Sequence, residues 1–312
     1  MMDSCRQIAP HNGSVIVFGS ATMDLAGHGG RLPAPGETVL ARKFVQSPGG
    51  KGANQAVAAA RSGARTTFLG AIGTDDYGAQ AEASLRQNGV DTQHVLRSDS
   101  GTGIALISVD REGANLITVI PRANNDLTPE TVRRFRPLLR DASVLIMQLE
   151  IPVDAVQAMA VAGREEGLVV VLNPAPACQL SGTLLKHVDI LVPNQHELGA
   201  LVTSPTNDIE LDARRLLKRG AGGVVVTLGA EGVLVVFDGG SWRVPGHRVP
   251  VIDTTGAGDA LVGAMAGRVA HGDGLRQAVR FGNAAAALSV GIPGAQPSMP
   301  ELAPILDLLR RT

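Results

Sequence analysis

The sequence has few cysteines and no long apolar run. Its two cysteines, Cys5 and Cys178, stand far apart in a chain of 312 residues, so a disulfide framework is not expected and a reducing compartment is. Residues 1–14 lack the apolar segment of a signal peptide, and no stretch of about 18 apolar residues could form a membrane-spanning helix. We therefore expect a cytoplasmic protein.

The chain also has almost no net charge. Its 28 Lys and Arg residues nearly balance 29 Asp and Glu residues, which gives a net charge of −1. The arginines are scattered among acids and form no basic patch of the kind that binds nucleic acid or an anionic membrane surface. With 44% hydrophobic residues the composition is that of a globular protein, and we expect neither nucleic acid nor membrane among its partners.

Several common catalytic motifs are missing. Position 261 is Leu where the dinucleotide-binding fingerprint needs a glycine, and Gly52 stands where a P-loop needs Ser or Thr. The pair His196-Glu197 lacks the second histidine of a zinc-protease helix, and no Gly-x-Ser-x-Gly nucleophile elbow occurs. These absences disfavour nicotinamide-dependent oxidoreductases, P-loop enzymes, zinc proteases and serine hydrolases of the α/β type.

Short β-branched runs alternate with helical patterns along most of the chain. The strand patterns cover 15–19, 66–71, 143–148, 168–172, 190–192, 223–227 and 233–237. The helical patterns cover 52–61, 75–88, 129–139, 153–166, 194–201, 208–219, 256–271, 274–290 and 300–311. This alternation predicts an α/β fold with a mainly parallel sheet and helices on both faces.

Two regions interrupt the alternation. Residues 37–44 are compatible with a strand, and 104–109 and 115–120 form a predicted hairpin. Neither is followed by a crossover helix, so together they predict a small separate sheet, which is a natural lid. We expect one domain over 1–312 with a β lid subdomain formed by about 20–48 and 100–122, and the exposed edges of such a lid favour a homodimer.

The most informative stretch is 253–259, Asp-Thr-Thr-Gly-Ala-Gly-Asp, directly before a helical pattern. The small residues Gly256, Ala257 and Gly258 allow backbone N–H groups to converge at a helix N-terminus, which attracts anions. A carboxylate there, Asp259, would repel a bound phosphate. It fits a general base that takes a proton from a hydroxyl while the N–H groups stabilise a transferring phosphoryl group. The alternative, a tight connection without function, stays open at this point.

Other polar residues follow the predicted strand ends. Lys51 and Asn54 lie in a glycine-rich loop, and Asp24 and Glu150 each follow a strand. Asn194 and Glu197 follow another strand, although their spacing also fits an N-cap with a capping box. Such residues meet at one edge of a parallel sheet, where carboxylates and amides suit sugar hydroxyls. The sequence therefore predicts a cleft for a polyhydroxy molecule and a phosphate donor.

These motifs resemble those of the ribokinase (PfkB) family of carbohydrate kinases. The resemblance runs from about residue 15 to the C-terminal helix, and it is carried by 19–24, 35–38, 49–56, 147–150, 173–177, 227–229, 253–259 and 294–298. It implies a ribokinase-like three-layer α/β/α sandwich with a small β-sheet lid. It also implies an ATP-dependent sugar kinase that phosphorylates the 5-hydroxyl of D-ribose.

The resemblance also implies roles for individual residues. Asp259 would be the catalytic base, with the backbone of Gly256, Ala257 and Gly258 as the anion hole. The sugar would contact Thr22, Met23, Asp24, Gly50, Lys51, Gly52, Ala53, Asn54, Glu150 and Asp259. ATP would contact Asn194, Thr227, Leu228, Gly229, Ala230, Glu231, Gly232, Gly258, Asp259 and Asn283. Mg²⁺ would be held through water by Asn194 and Glu197, and K⁺ by Asp253, Thr255, Ser289, Ile292, Gly294 and Ser298.

Two segments depart from the family pattern. Thr22 stands where the family usually has Asn, and 121–125 is less glycine-rich than its counterparts. A threonine offers one hydroxyl where Asn offers a separate donor and acceptor, so ribose is the first expectation while deoxyribose or another small sugar remains an alternative. A sugar- or nucleotide-binding regulator without catalysis is less well supported, because Asp259 and its glycines are present.

Overall fold

The computed structural model describes residues 12–311. Cys5 lies outside the described residues, and so does most of 1–14, the segment in which we expect no signal peptide. Cys178 is a free cysteine. Within 12–311, none of the helices has both the length and the apolar character needed to cross a membrane.

Fifteen strands are found in the described residues. They are β1 Ser14–Phe18, β2 Thr22–His28, β3 Lys43–Gly49, β4 Arg65–Leu69, β5 Ala71–Gly73, β6 Val90–Asp91, β7 Leu96–Ser98, β8 Gly103–Val109, β9 Asn115–Ile120, β10 Val144–Met147, β11 Val169–Leu172, β12 Ile190–Leu191, β13 Gly223–Thr227, β14 Gly232–Phe237 and β15 Gly240–Pro245. The main sheet has the order β15-β14-β13-β12-β11-β10-β1-β4-β6. It is parallel except for the hairpin strands β14 and β15 at one edge.

The helices in the same range are α1 Lys51–Arg61, α2 Asp76–Gln87, α3 Pro129–Phe135, α4 Val153–Glu165, α5 Gly182–Leu185, α6 Gln195–Leu201, α7 Ile209–Lys218, α8 Ala257–Ala270, α9 Leu275–Ser289 and α10 Leu302–Arg311. Short 3-10 turns cover 122–126, 136–141, 229–231 and 296–298. The pattern over 129–139 predicts one helix, but α3 ends at Phe135 and a 3-10 turn follows. Pro137 explains this, because it cannot donate the hydrogen bond that the helix needs.

Helices cover both faces of the main sheet. One apolar cluster packs α3, α4, α6 and α7 against one face, and a second packs α1, α2, α8 and α9 against the other. Central strands are therefore buried on both faces, and all four residues of β10 are buried. The predicted α/β fold with a mainly parallel sheet is confirmed.

Four strands form a separate small sheet with the order β3-β2-β8-β9. The predicted hairpin is present as β8 and β9. The prediction of a strand over 37–44 is wrong, since the strand begins at Lys43. The segment before it closes on itself instead: the Glu37 carboxylate accepts hydrogen bonds from Arg31 and, at 3.0 Å, from the Ala34 N–H.

Candidate active site

The C-terminal ends of β1, β10, β11, β12 and β13 meet the N-termini of α1 and α8 at one edge of the main sheet. The small sheet joins this edge directly, because β2 begins four residues after β1 ends. Asn124 fixes the connection: its side chain exchanges two hydrogen bonds with the backbone of Ala21, at 3.0 and 2.9 Å. The edge therefore brings together residues that are far apart in sequence.

Asp259 lies in the first turn of α8 and is only 6% exposed. Its Oδ2 accepts from Asn54 Nδ2 at 3.0 Å and its Oδ1 from Gln55 Nε2 at 2.8 Å. The residue before the helix, Gly256, has a φ of 79°, which favours glycine, and it turns the chain into the helix N-terminus. The N–H of Ala257 donates to the Thr254 carbonyl at 3.2 Å, and the N–H groups directly after it lack an acceptor within the helix. The Asp259 carboxylate therefore lies at the N-terminus of α8, which attracts anions.

The glycine-rich loop before α1 packs closely against the backbone of 20–24. Gly50 has a φ of 89°, and a Cβ there would lie 2.8 Å from the Thr22 nitrogen. A Cβ on Gly52 would lie 2.5 Å from the Ser20 nitrogen, and Ala53 N–H donates to the Ser20 carbonyl at 2.9 Å. Backbone approach this close requires the glycines and places the start of α1 beside β2.

Glu150 supplies the cap that α1 lacks in its own sequence. Its Oε2 accepts from the Lys51 backbone N–H at 2.9 Å and from Ser20 Oγ at 2.6 Å. A negative charge is favourable at a helix N-terminus. Ser20, which is fully buried, was not predicted as a site residue. Its role depends on a contact across 130 residues of sequence, which no local pattern reveals.

Asp24 is held by its neighbour in β2. Thr22 Oγ1 donates to Asp24 Oδ1 at 2.9 Å, and Met23 between them is fully buried. The pKa of Asp24 is raised to about 6, mainly by burial and further by the charges of Glu150 and Asp259. The Thr22 hydrogen bond and the charge of Lys51 lower this pKa but do not outweigh burial. Asp24 therefore changes its charge near neutral pH.

Lys51 faces the acids of this cleft. Burial lowers the pKa of its ammonium group, but Asp259, Glu150, Glu197 and Asp24 together outweigh burial, so its pKa is raised. Lys51 is therefore charged at neutral pH and offsets the charge of these four carboxylates.

Asn194 and Glu197 form a capping box at the start of α6, with two hydrogen bonds of 2.8 Å. The capping interpretation of their spacing is thus confirmed. Glu197 nevertheless reaches the cleft, because its carboxyl interacts with Lys51 and Asp259. Burial raises the pKa of this carboxyl, and the charge of Asp259 raises it further. The hydrogen bond from the Asn194 N–H and the charge of Lys51 lower the pKa, but the net shift is upward. The cap uses Oε2, so the carboxylate keeps a second oxygen that suits a water-bound divalent cation.

The predicted nucleotide segment lies beyond β13. Thr227 ends that strand, Leu228 is buried, Gly229–Glu231 forms a 3-10 turn, and Gly232 starts β14. The turn includes Ala230. Asn283, on α9, donates to the Pro245 carbonyl at 2.9 Å. A surface cavity of about 380 Å³ adjoins this bond, lined by 244–248, Arg280 and two leucines of α10.

The predicted monovalent-cation residues lie on two loops that are joined by hydrogen bonds. Asp253 accepts from the Thr255 N–H at 2.9 Å and from the Gly294 N–H at 2.8 Å. Burial alone would raise the pKa of Asp253, but these bonds lower it overall, so the carboxylate stays ionised. Ser289 and Ser298 are buried, and Ile292 is half-exposed in the second loop. Carbonyl and carboxylate oxygens here suit a hard cation.

Two glycines of the 256–258 turn offer a test that separates stability from activity. Gly256→Ala is expected to cost about 1–2 kcal/mol of stability because of its positive φ, and its Cβ would lie 3.1 Å from the Ala295 Cα. A Cβ at Gly258 meets no atom within 4 Å, so Gly258→Ala is expected to unfold like the wild type. Turnover is expected to fall at least about tenfold, because the methyl group would lie in the anion hole assigned to the transferring phosphoryl group. Urea unfolding and initial rates measure both effects; an active Gly258→Ala protein would contradict the anion-hole assignment.

Comparison with known proteins agrees with the resemblance in the motifs. Residues 12–302 match the sequence profile of the pfkB family of carbohydrate kinases. A ribokinase of Haemophilus influenzae is 39% identical over 279 residues, which cover 88% of this chain and 91% of the relative. A deoxyribokinase of Salmonella typhi is 33% identical over 293 residues, covering 92% and 96%. The structure of Arabidopsis thaliana ribokinase complexed with ribose and ATP matches with a TM-score of 0.89 and 32% identity, covering 95% of this chain and 98% of that one. The chain belongs to the pfkB family of carbohydrate kinases, which are ATP-dependent sugar phosphotransferases.

Proposed function

We propose that the protein is an ATP-dependent kinase that phosphorylates the 5-hydroxyl of D-ribose. One observation carries the proposal: Asn54 donates to Asp259, while its own Oδ1 is buried without a partner among the described residues. A buried acceptor beside a carboxylate suits two hydroxyls of one ligand, one that donates to Asn54 Oδ1 and one that loses its proton to Asp259. The similarity to ribokinases, one of them complexed with ribose and ATP, supports ribose as the acceptor.

In this proposal Asp259 removes the proton of the 5-hydroxyl as its oxygen attacks the γ-phosphorus of ATP. The bond from that phosphorus to the bridging oxygen breaks, and ADP leaves. The backbone N–H groups of 256–259 stabilise the charge on the transferring phosphoryl group. Positioning supplies most of the acceleration, because little covalent chemistry falls to the protein.

The sugar lies between β2 and the start of α1. Asp24, Glu150 and Asn54 Oδ1 accept from sugar hydroxyls, and the ammonium of Lys51 donates. The remaining contacts come from the loop and strand around them: Thr22, Met23, Gly50, Gly52 and Ala53. ATP lies along Asn194 and Thr227–Gly232 with its base near Asn283, where the 380 Å³ cavity offers room.

Two cations are part of the proposal. Mg²⁺ bound to ATP would be held through its waters by Asn194 and Glu197, where it would neutralise phosphate charge. K⁺ would bind between the two loops of Asp253, Thr255, Ser289, Ile292, Gly294 and Ser298. The two hydrogen bonds of Asp253 already join these loops, and the first of them leads directly into the 256–258 turn.

We further propose that the chain is one domain whose small sheet acts as a lid and pairs with a second copy. All six residues of β9 are exposed, among them Leu116 and Ile117 at 53% and 54%. Contiguous apolar surface of this kind marks an interface. Sedimentation equilibrium tests the dimer, and Leu116→Glu is the variant expected to dissociate it. The cytoplasmic location stays a prediction from the sequence.

The direct test is ADP release from MgATP with ribose, 2-deoxyribose, xylose, fructose and adenosine, each with and without K⁺. Ribose-dependent turnover that K⁺ raises is the expected result. Turnover independent of K⁺ would contradict the cation loop but not the kinase. ATP binding without turnover on any sugar would favour the non-catalytic regulator instead.

A preference for 2-deoxyribose is the second candidate. It rests on Thr22, whose hydroxyl is already engaged with Asp24, and on the similarity to a deoxyribokinase. If 2-deoxyribose gives the larger kcat/KM, Thr22→Asn is expected to shift the preference toward ribose. If the ratio of kcat/KM for 2-deoxyribose to kcat/KM for ribose is unchanged in that variant, Thr22 has no role in selectivity.

The raised pKa of Asp24 predicts a pH dependence of sugar binding. Only the ionised carboxylate accepts hydrogen bonds from two hydroxyls, so KM for the sugar is expected to rise about tenfold per pH unit below a midpoint near 6, with kcat less affected. Thr22→Val removes the bond that lowers this pKa, and the midpoint is expected to move above 6. A wild-type midpoint near the ordinary value of about 4 would contradict a role for Asp24.

A further inference from the structure

A connected group of buried amide side chains lies behind Asp259. Gln55 is fully buried on α1, and its Nε2 donates both to Asp259 Oδ1 at 2.8 Å and to Asn173 Oδ1 at 3.0 Å. Gln148, also fully buried, donates from Nε2 to Gln55 Oε1 at 2.6 Å. Asn173 Nδ2 donates to the Val192 carbonyl at 2.9 Å. We call Gln148, Gln55 and Asn173 the amide chain.

The amide chain can be oriented in one way. A carboxylate only accepts, so Gln55 must point its NH₂ group at Asp259 and keep its oxygen for a donor. Gln148 is that donor. At the other end Asn173 must direct its own NH₂ group to the Val192 carbonyl, which leaves its oxygen for Gln55. Reversing Gln55 would place its oxygen against two acceptor oxygens.

The fold reserves space for this arrangement. Gln148 directly follows β10, Asn173 follows β11 and Val192 follows β12, so the amide chain crosses the end of the main sheet from strand to strand. A Cβ at Gly19, directly after β1, would lie 2.0 Å from Gln148 Oε1. A glycine there is what admits the Gln148 side chain.

Asp259 needs such support. Asp24 on β2, Glu150 after β10 and Glu197 on α6 surround Lys51 on α1 together with Asp259. These charges attract or repel the Asp259 side chain, and directed N–H donors hold it in one orientation against them. Two amide donors on separate oxygens also fix the plane of the carboxylate, and with it the direction of the lone pairs that accept a proton.

We propose that Gln55, held by Gln148 and Asn173, is the positioning residue that keeps the Asp259 carboxylate aimed at the acceptor hydroxyl. The proposal rests on the proposed function for its kinetic consequence. Its structural content is independent of the sugar: removing the Gln55 amide removes the donor to Asp259 Oδ1 and changes the orientation of the carboxylate in the free protein.

The kinetic test is Gln55→Leu, which keeps a similar volume without a donor. We expect kcat to fall about 10- to 100-fold, the effect of losing a hydrogen bond to a charged group, with KM for sugar and ATP within about threefold of wild type. Gln148→Leu, one step further from Asp259, should show the same pattern with a smaller loss, and it replaces Gln55→Leu if that variant does not fold.

A ligand-free measurement separates this proposal from the proposed function. Protein labelled with ¹³Cγ-aspartate is observed by NMR at a single pH, and the Asp259 resonance is identified by its absence in Asp259→Asn. The chemical shift of this resonance is expected to change in Gln55→Leu, because Asp259 Oδ1 loses its hydrogen-bond donor. If the wild type turns over no sugar, the proposed function fails while this chemical shift still decides the role of Gln55.

Thr66→Val is the matched control. It deletes one buried hydrogen bond, from Thr66 Oγ1 to the Ala64 carbonyl at 3.2 Å. Thr66 lies near the start of β4, whereas the amide chain lies at the C-terminal ends of the parallel strands. It should keep the wild-type kcat and the wild-type Asp259 resonance. Equal losses in the control, an unmoved Asp259 resonance in Gln55→Leu, or a rise in KM at unchanged kcat would each overturn the proposal.

Discussion

Asp259→Asn is expected to lower kcat by about 10³-fold and to leave the fold intact. The variant keeps the shape of the side chain but cannot take a proton, and general bases contribute about 10²- to 10⁴-fold. An asparagine at 259 can still accept from Asn54 or Gln55 through its oxygen, so one of the two present hydrogen bonds survives. Stability should change by no more than about 1–2 kcal/mol.

Steady-state kinetics with saturating ribose, together with thermal unfolding, measure the two effects. Asp76→Asn is the matched control, because Asp76 is an exposed acid in the first turn of α2 and the same atoms change there. The control should retain wild-type kcat. Near-normal turnover in Asp259→Asn would remove Asp259 from the role of base.

Lys51→Met is expected to lower kcat/KM for MgATP by about 10²-fold. The ammonium group offsets the charge of Asp24, Glu150 and Asp259, and a nucleotide brings further negative charge to the same cleft. Loss of one charge interaction near a protein surface amounts to about 3–4 kcal/mol at contact distance, and part of that is recovered by water entering the cleft. The pH midpoint for sugar binding should also rise, because Lys51 lowers the pKa of Asp24.

The variant is compared with Lys218→Met, the same change at an exposed position at the end of α7. The control is expected to retain both the nucleotide parameters and the pH midpoint. If Lys51→Met changes neither, the cation has no part in balancing these carboxylates, and the electrostatic account of the cleft is wrong.

The main sheet could be predicted from sequence because its strands are short β-branched runs between helical patterns. Strand β13 was predicted with its observed bounds. Strand β2 was missed, since Thr22–His28 has no continuous apolar run and its polar–apolar alternation stops after Leu25, where Ala26 and Gly27 follow. The segment 37–44 was misassigned because its Thr-Val-Leu run fits a strand, whereas the pairing of Arg31 with Glu37 closes it into a loop.

Candidate site residues could be proposed from the sequence most directly where they form short contiguous motifs. The 253–259 turn and the 49–54 loop carry glycines whose positions have a backbone reason, and this makes them visible without a structure. Ser20 and Gln55 act through partners 130 and 204 residues away. A buried serine or glutamine looks the same in sequence whether it supports a base or fills a core, so only the contacts distinguish the two.

The position of Thr22 and Asp24 on β2 has a consequence for engineering this enzyme. β2 is an inner strand of the small sheet, bonded to β3 on one side and β8 on the other, and it leaves the main sheet beside Asn124. If Thr22 and Asp24 bind the sugar as proposed, a substitution that repositions either side chain also strains the hydrogen-bonded ladder that holds the small sheet together. Substrate range is best redesigned by exchanging β2, β3 and β8 together between relatives, rather than by altering single side chains.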